Sequence, residues 1–224
     1  MPYTMTHLII ADNLSTIFSK HIKNLPQFYL GNIAPDAVHY RENYTYEYKR
    51  DSHLYAGDEP WDLITNMDGW INDIINFLNS HKNFENCDFI LGYCCHLLTD
   101  IYQRIALWLP FRQKYADEIE KGLGEIMRQE TSMIDIELAL THERKDIFWS
   151  NIKQSAGVDL PGIVYTTEIE KQKDNILNLW YADKERQDLT SNKIVTVEKI
   201  MSFISDVVDF IVPALQEHFN YFHD

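Results

Sequence analysis

Gly92-Tyr93-Cys94-Cys95-His96-Leu97-Leu98-Thr99-Asp100 lies inside a long apolar run, residues 87–109, that reads as a buried helix. His96 and Asp100 are four apart, so on a helix they share a face, one turn from each other. An imidazole and a carboxylate on a core helix are costly to bury unless something pairs with them. A divalent metal would satisfy both. So would a direct His–Asp hydrogen bond, or a backbone carbonyl accepting from the histidine. For the pair alone the protein-only partners are the better reading, because buried polar groups usually find such partners.

Working outward, the 224 residues suit one domain, 1–224, with a sizeable core. Hydrophobic residues make up 45% and aromatics 13%, which suits a globular fold and excludes a disordered composition. With only 8 Gly and 7 Pro, punctuation is sparse and long elements are expected. A net charge of −14 repels nucleic-acid phosphates and disfavours a polybasic membrane-surface mode, and no basic stripe offsets it. Cys87, Cys94 and Cys95 cluster on or beside the central helix; adjacent Cys94 and Cys95 read as packing residues rather than a disulfide, a usage that suits a reducing compartment. The N-terminus lacks the basic and apolar regions of a signal peptide, and no apolar run of membrane-spanning length is free of charges. A cytoplasmic location without integral membrane association is the expectation.

Helical periodicity recurs along the chain. Leu8, Ile9, Leu14, Ile17 and Phe18 give the face of a first helix, capped by Thr4 or Thr6 and reaching about residue 22, with His7 at its start. Gly31 to Ala37 reads as a turn, in which Gly31 permits a tight or left-handed conformation and Pro35 holds Asp36 rigidly. Residues 41–60 are polar and tyrosine-rich and read as a long loop with short strands, His53 among them. Pro60 suits a helix start, and Leu63, Ile64, Met67, Trp70, Ile71, Ile74, Ile75 and Leu78 form a 3.6-residue stripe over 61–80. Pro110 is expected to end or kink the central helix, Gly122 and Gly124 to weaken a helical stretch over 111–145, and Pro213 to kink the last helix, 196–222. Between them lie a short helix over 145–155, a linker at 157–162 and a helix over 167–182. With no strand alternation of note, the class is all-α.

Taken together, the polar residues form an ordered set. Thr6-His7 stands near the start, then Gly31-x-x-x-Pro35-Asp36, then Ser52-His53, then Gly92-Tyr93-x-x-His96-x-x-Thr99-Asp100. This order, over roughly residues 1–110, resembles the zinc-dependent phospholipase C family, and most closely its small intracellular bacterial branch of uncharacterised hydrolases. The resemblance implies an all-α multi-helix bundle of the zinc-dependent phospholipase C and P1 nuclease type. It implies that His53, His96 and Asp100 hold one metal, that His7 binds a second bridged by Asp100, and that Asp36 is the catalytic general base or joins the ligand set. Zinc is the implied cofactor, one or two ions, and the residue types also suit iron, nickel or manganese. Residues 111–224 carry only helical character.

The implied activity is metal-dependent hydrolysis of a phosphate ester, with metal-bound water as nucleophile and a small phosphate ester or a phospholipid head group as partner. The alternatives are a helical metal- or ligand-binding protein without catalysis, and a metal-free interaction module. The secreted members of the family build a third metal site from later histidines, where this chain has Ile101-Tyr102-Gln103-Arg104. The nearest later pair, His142 and Asp146, reads better as an exposed helix face. The secreted members also use a processed N-terminal residue as a ligand, a feature not expected of a chain that reads as lacking a signal sequence, although removal of Met1 would expose Pro2. Tyr29, Tyr44, Tyr55, Tyr93 and Trp61 are candidates to line the site, or ordinary packing residues. Arg104, one turn beyond Asp100, either binds a substrate phosphate or pairs with a carboxylate, and the pairing is the better reading of the sequence. Oligomeric state is not legible.

Overall fold

A computed structural model describes residues 3–220, so Pro2 and the end of the last expected helix lie outside the described residues. The fold is all-α, and among the described residues there is no strand, only an isolated bridge between Leu160 and Val164. In chain order the helices are α1 (Thr4–Ile17), α2 (Leu25–Gly31), α3 (Tyr46–Ser52), α4 (Met67–Ser80), α5 (Cys87–Gln103), α6 (Leu109–Lys114), α7 (Ala116–Glu120), α8 (Leu123–Thr141), α9 (Lys145–Gln154), α10 (Thr166–Asp174) and α11 (Val197–Asn220).

α5 is the axis of the bundle. From Asp88 to Ile101 every residue on it is buried, as expected of a helix that is apolar all round. It packs against α1, α2, α4 and α11. The approach of α2 is unusually close. A Cβ at Gly31 would collide with the Phe89 carbonyl, and one at Gly92 with the Phe28 carbonyl. Gly31 thus serves not a left-handed turn but the contact of two backbones; positive φ among the glycines is confined to Gly122 and Gly162.

Elsewhere the structure redraws several expectations. Residues 41–60 contain no strand; α3 forms there, anchored by its buried Lys49 and Ser52. Of the tyrosines in this stretch, Tyr46 is well exposed, Tyr44 and Tyr48 are half-buried and Tyr55 is buried. The stripe at 61–80 is split: a 3-10 turn, Trp61–Leu63, precedes α4, whose first turn is capped by the Asn66 side chain accepting from the Gly69 N–H. The same stripe is otherwise as read, burying Trp70, Ile74 and Leu78. Pro110 neither ends nor kinks a continuous α-helix. The chain passes from α5 through a π turn, Arg104–Trp108, and Pro110 sits in the first turn of α6, where its missing N–H costs nothing. Gly122, at φ 104°, breaks the stretch 111–145 between α7 and α8. α1 stops at Ile17 and begins after Tyr3, with no side-chain cap from either threonine. Pro213 lies within α11, which runs on to Asn220.

Candidate metal centre

Four segments meet at one end of α5. α1 brings His7 on its first turn, the 3-10 helix Ala34–Tyr40 brings Asp36, the C-cap of α3 is His53, and α5 itself supplies His96 and Asp100. Each position has a local cause. The Gly31/Gly92 contact brings the end of α2 onto α5, so the Asn32 carbonyl accepts from His96 Nδ1 at 2.8 Å. At the α3 terminus His53 Nδ1 lies 3.0 Å from the Lys49 carbonyl and 2.9 Å from Ser52 Oγ, and the Tyr93 hydroxyl donates to the Ser52 carbonyl, tying α3 to α5. With Nδ1 engaged in donation to a carbonyl, Nε2 of both histidines is the bare, lone-pair-bearing nitrogen. Those nitrogens point at each other's neighbourhood and at the two carboxylates.

The contacts are longer than ordinary hydrogen bonds, leave the facing imidazole nitrogens unsatisfied, and suit shared ligation. His53 Nε2 stands 3.4 Å from Asp100 Oδ2 and 3.6 Å from Asp36 Oδ1. His96 Nε2 stands 3.9 Å from Asp36 Oδ2 and 4.0 Å from Asp100 Oδ2, and His7 Nε2 is 3.6 Å from Asp100 Oδ1. Donors held about 2.1 Å from one tetrahedral ion lie about 3.4 Å apart, so these spacings sit at or slightly above the edge of such a site. Two groups of donors could each hold an ion: His7, His96 and Asp100, and Asp36, His53 and His96. His96 appears in both, but a single Nε2 serves one ion. Asp100, with Oδ1 toward His7 and Oδ2 toward His53 and His96, is the carboxylate placed between the two histidine sets.

Burial makes this costly without a cation. His7, His53, His96 and Asp100 are each at most 5% exposed. Both ring nitrogens of His7, Nε2 of His53 and of His96, and Oδ1 of Asp36 and of Asp100 have no hydrogen-bond partner. The His7 ring stacks on His96 at 3.8 Å, nearly parallel, which fixes its plane without satisfying its nitrogens. Burial, with His96 alongside, pushes the His7 imidazolium down to about 3, against the pull of Asp100 and Asp36. Burial likewise takes His53 to about 4. Burial alone would raise both carboxyls. The Lys49 ammonium, His39 and the imidazoles outweigh it at Asp36, and His53, His96 and His7 outweigh it at Asp100, so both are held well below the usual carboxylate range. At neutral pH the depressed imidazoles are neutral and the carboxylates charged, the protonation state that metal binding requires. Neutral nitrogens and charged oxygens of this number, converging in an otherwise unsatisfied cluster, fit zinc.

A cleft of about 500 Å³ opens over Asp36, which is a quarter exposed. Its walls include Tyr44, Trp61, Lys49, Arg104, Trp108 and Arg128. Asp36 and Asp62 share the lining with Lys49, Arg104 and Arg128, so the cleft is close to neutral where the whole chain carries −14. Trp61 stands edge-on to His53 at 5.2 Å, while Lys49 Nζ and the Arg104 guanidinium lie 5.2 and 5.5 Å from its ring centroid.

Tyr44 and Trp61 line this cleft as their residue types allowed, whereas the Tyr29 hydroxyl is turned to Asp12 at 2.6 Å and Tyr55 to Glu59 at 3.0 Å. Arg104 has no ion pair within 4 Å among the described residues, which overturns the carboxylate pairing read from the sequence. His142 packs on Phe148 at 5.2 Å and its Nδ1 accepts from the Arg144 N–H, and neither it nor the exposed Asp146 joins the donor groups. Cys94 and Cys95 are buried free thiols, pushed up by burial, as packing residues should be. Sequence reasoning passed over Lys49, hidden in a polar, tyrosine-rich stretch. It also passed over the Asn32 carbonyl, since no side-chain motif reports a backbone acceptor.

Residues 6–103 match the family model described as zinc dependent phospholipase C. No curated protein and no solved structure matches the chain. The matched segment contains His7, Asp36, His53, His96 and Asp100 and stops one residue short of Arg104. Over residues 6–103, the part that builds the polar cluster, this chain is thus similar to the zinc-dependent phospholipase C family.

Proposed function

We propose that the protein is a metal-dependent hydrolase of phosphate esters, with His7, Asp36, His53, His96 and Asp100 holding one or two zinc ions. The observation that carries this reading is the convergence of buried nitrogen and oxygen atoms with no protein partner, beside a cleft that also holds Lys49 and Arg104. Zinc supplies a Lewis acid there, which acidifies water and neutralises charge on a phosphoryl oxygen. The protein's own groups do the rest. The Asn32 and Lys49 carbonyls fix the tautomers of His96 and His53, so that both Nε2 lone pairs face the cluster. Asp100 spans the donor groups. Asp36, ionised and reaching into the cleft, is placed to accept a proton from attacking water, and Lys49 Nζ, 3.6 Å from Asp36 Oδ1, steadies that carboxylate.

The overall charge of −14 disfavours approach to anionic bilayers, so a soluble phosphate ester is a better substrate than an anionic phospholipid. No described helix is long and apolar enough to cross a membrane. The test is metal analysis of the purified protein together with turnover of phosphomonoesters, phosphodiesters and phosphatidylcholine in mixed micelles. Zinc at one or two per chain and turnover abolished by Asp36→Asn is the expected result. A native protein that takes up no divalent metal would overturn the proposal. Full zinc occupancy with no turnover of any ester would point instead to a metal-binding protein without catalysis.

A further inference from the structure

We infer that Arg104 is a phosphate-anchoring residue of the cleft, its Nη1 donating to a non-bridging phosphoryl oxygen of the substrate. The inference rests on the phosphoester reading of the same site and adds to it a residue outside the family-matched segment. Arg104 is 7% exposed, lines the cleft that contains Asp36, and has a buried Nη1 with no hydrogen-bond partner. A guanidinium hidden from water with an unmet N–H is expensive unless an anion completes it. Asp100 precedes it by one helical turn, yet no ion pair forms between them within 4 Å. Asp100 has both oxygens turned toward the histidines, so the arginine is left for something else.

Its position is built. The π turn that begins at Arg104 carries the chain away from α5 at the mouth of the cluster, and Trp61 supports the guanidinium at 5.5 Å. The same ring supports Lys49 at 5.2 Å, so two cations share one aromatic platform beside the metal donors. Arg128, the third cation of the cleft, differs from Arg104 in kind: it is 62% exposed and already paired with Glu125. A planar fork of N–H donors suits a tetrahedral oxyanion, whether a phosphorylated small molecule or a lipid head group presents it.

The experiment titrates inorganic phosphate into zinc-loaded protein by calorimetry, comparing wild type with Arg104→Gln, Arg104→Lys and Arg128→Gln. A hydrogen bond to a charged group corresponds to about a tenfold change or more, so Arg104→Gln is expected to weaken phosphate binding at least ~10-fold. It should raise KM for a soluble phosphate ester more than it lowers kcat, with zinc per chain unchanged. Arg104→Lys should recover part of the affinity, and stands as the deciding variant if the glutamine protein fails to fold. Arg128→Gln should stay within roughly threefold of wild type, as expected for an exposed pair. Equal phosphate affinity in wild type and Arg104→Gln, or equal losses at both arginines, would overturn the assignment. Turnover indifferent to Arg104→Gln would remove the anchor and leave the hydrolase. Phosphate bound through Arg104 by a protein that cleaves no ester would remove the hydrolase and leave the anchor. The same ester as a lipid in micelles and as a free head-group phosphate separates the two sources of the phosphoryl group.

Discussion

Zinc removal should cost this protein several degrees of thermal stability, and Asp100→Asn should abolish the difference. An ion bound only by the folded state adds RT ln(1 + [L]/Kd), about 4 kcal/mol at a thousandfold excess over Kd. For a chain of 224 residues the unfolding entropy is roughly 0.5 kcal/mol/K, so the shift in Tm is about 8 °C. The structure supports a value of this size. The buried cluster holds two carboxylates and at least six atoms without partners, each of which costs about 1–3 kcal/mol when left unmet. Asp100 is the carboxylate that approaches His7, His53 and His96, at 3.6, 3.4 and 4.0 Å. Asparagine keeps its shape but offers a neutral carbonyl and a donor that faces bare nitrogens. The assay is scanning calorimetry of chelator-stripped protein, reloaded with increasing zinc at pH 7.5, for wild type and Asp100→Asn. Zinc binding by unfolded thiols is common to both proteins, so the difference between them isolates the site. The expected zinc-induced shift falls from about 8 °C to under ~2 °C in the variant. Identical Tm for stripped and zinc-loaded wild type, or an equal zinc response in Asp100→Asn, would refute the metal-centre argument.

Other outcomes follow from particular contacts. Asp36→Asn should lower kcat for a phosphate ester about 10²–10⁴-fold, the usual range for a lost general base, checked by steady-state kinetics on protein of measured zinc content. Gly92→Ala drives a methyl into the Phe28 carbonyl, so it should destabilise by about 1–3 kcal/mol and, by displacing the Asn32 carbonyl from His96, weaken zinc binding as well; denaturant unfolding with a zinc-affinity titration reads both. Glu130→Ala removes a buried carboxylate that accepts from the Lys193, Ile194 and Val195 N–H groups at 2.7–2.8 Å, and should cost about 2–4 kcal/mol in urea unfolding with no effect on zinc content. The metal-free protein should lose stability on acidification between about pH 6.5 and 3. His7 and His53 bind their protons only near 3 and 4 when folded but near 6.5 when unfolded, so the unfolded state gains protons first and stability is full above that window; Tm against pH on stripped protein checks the slope.

The legible part of this molecule is the part whose information is local. The stripe from Met67 to Leu78 and the apolar run around His96 have a period or a hydrophobicity that one segment expresses alone, and both are helices. Boundaries were less legible, because they depend on hydrogen bonds between segments. The π turn at Arg104 and the 3-10 turn at Trp61 leave no mark in hydrophobic periodicity. The stretch 41–60 failed for a further reason: aromatic content signals strand, but Tyr46 faces solvent, and Lys49 and Ser52 face inward to serve the site. Gly31 carried two physical meanings, left-handed backbone or close approach, and only the partner Gly92 sixty-one positions later decides between them.

Arg104 shows how a site residue escapes a sequence reading that nevertheless considers it. In sequence an arginine one turn from an aspartate suggests an ion pair, because the i, i+4 spacing is what the helix makes available. The inference fails here because Asp100 has stronger claims on it. Its two oxygens already face three imidazoles, brought from α1, α3 and its own helix. Both oxygens being turned to imidazoles, the donor cluster and the unpaired arginine are two consequences of one arrangement. Of the two protein-only partners first considered for His96, the backbone carbonyl is present and the direct bond to Asp100 is not. On one helix they satisfy each other most simply; in the folded chain they stand 4.0 Å apart, with the His96 Nδ1 proton engaged by the Asn32 carbonyl and its Nε2 without a partner. A direct hydrogen bond would need that proton on Nε2, and the Gly31/Gly92 contact, by presenting the Asn32 carbonyl, holds it on the other nitrogen. The backbone packing of α2 against α5 is therefore what keeps His96 and Asp100 from satisfying each other and leaves both turned to the shared cluster.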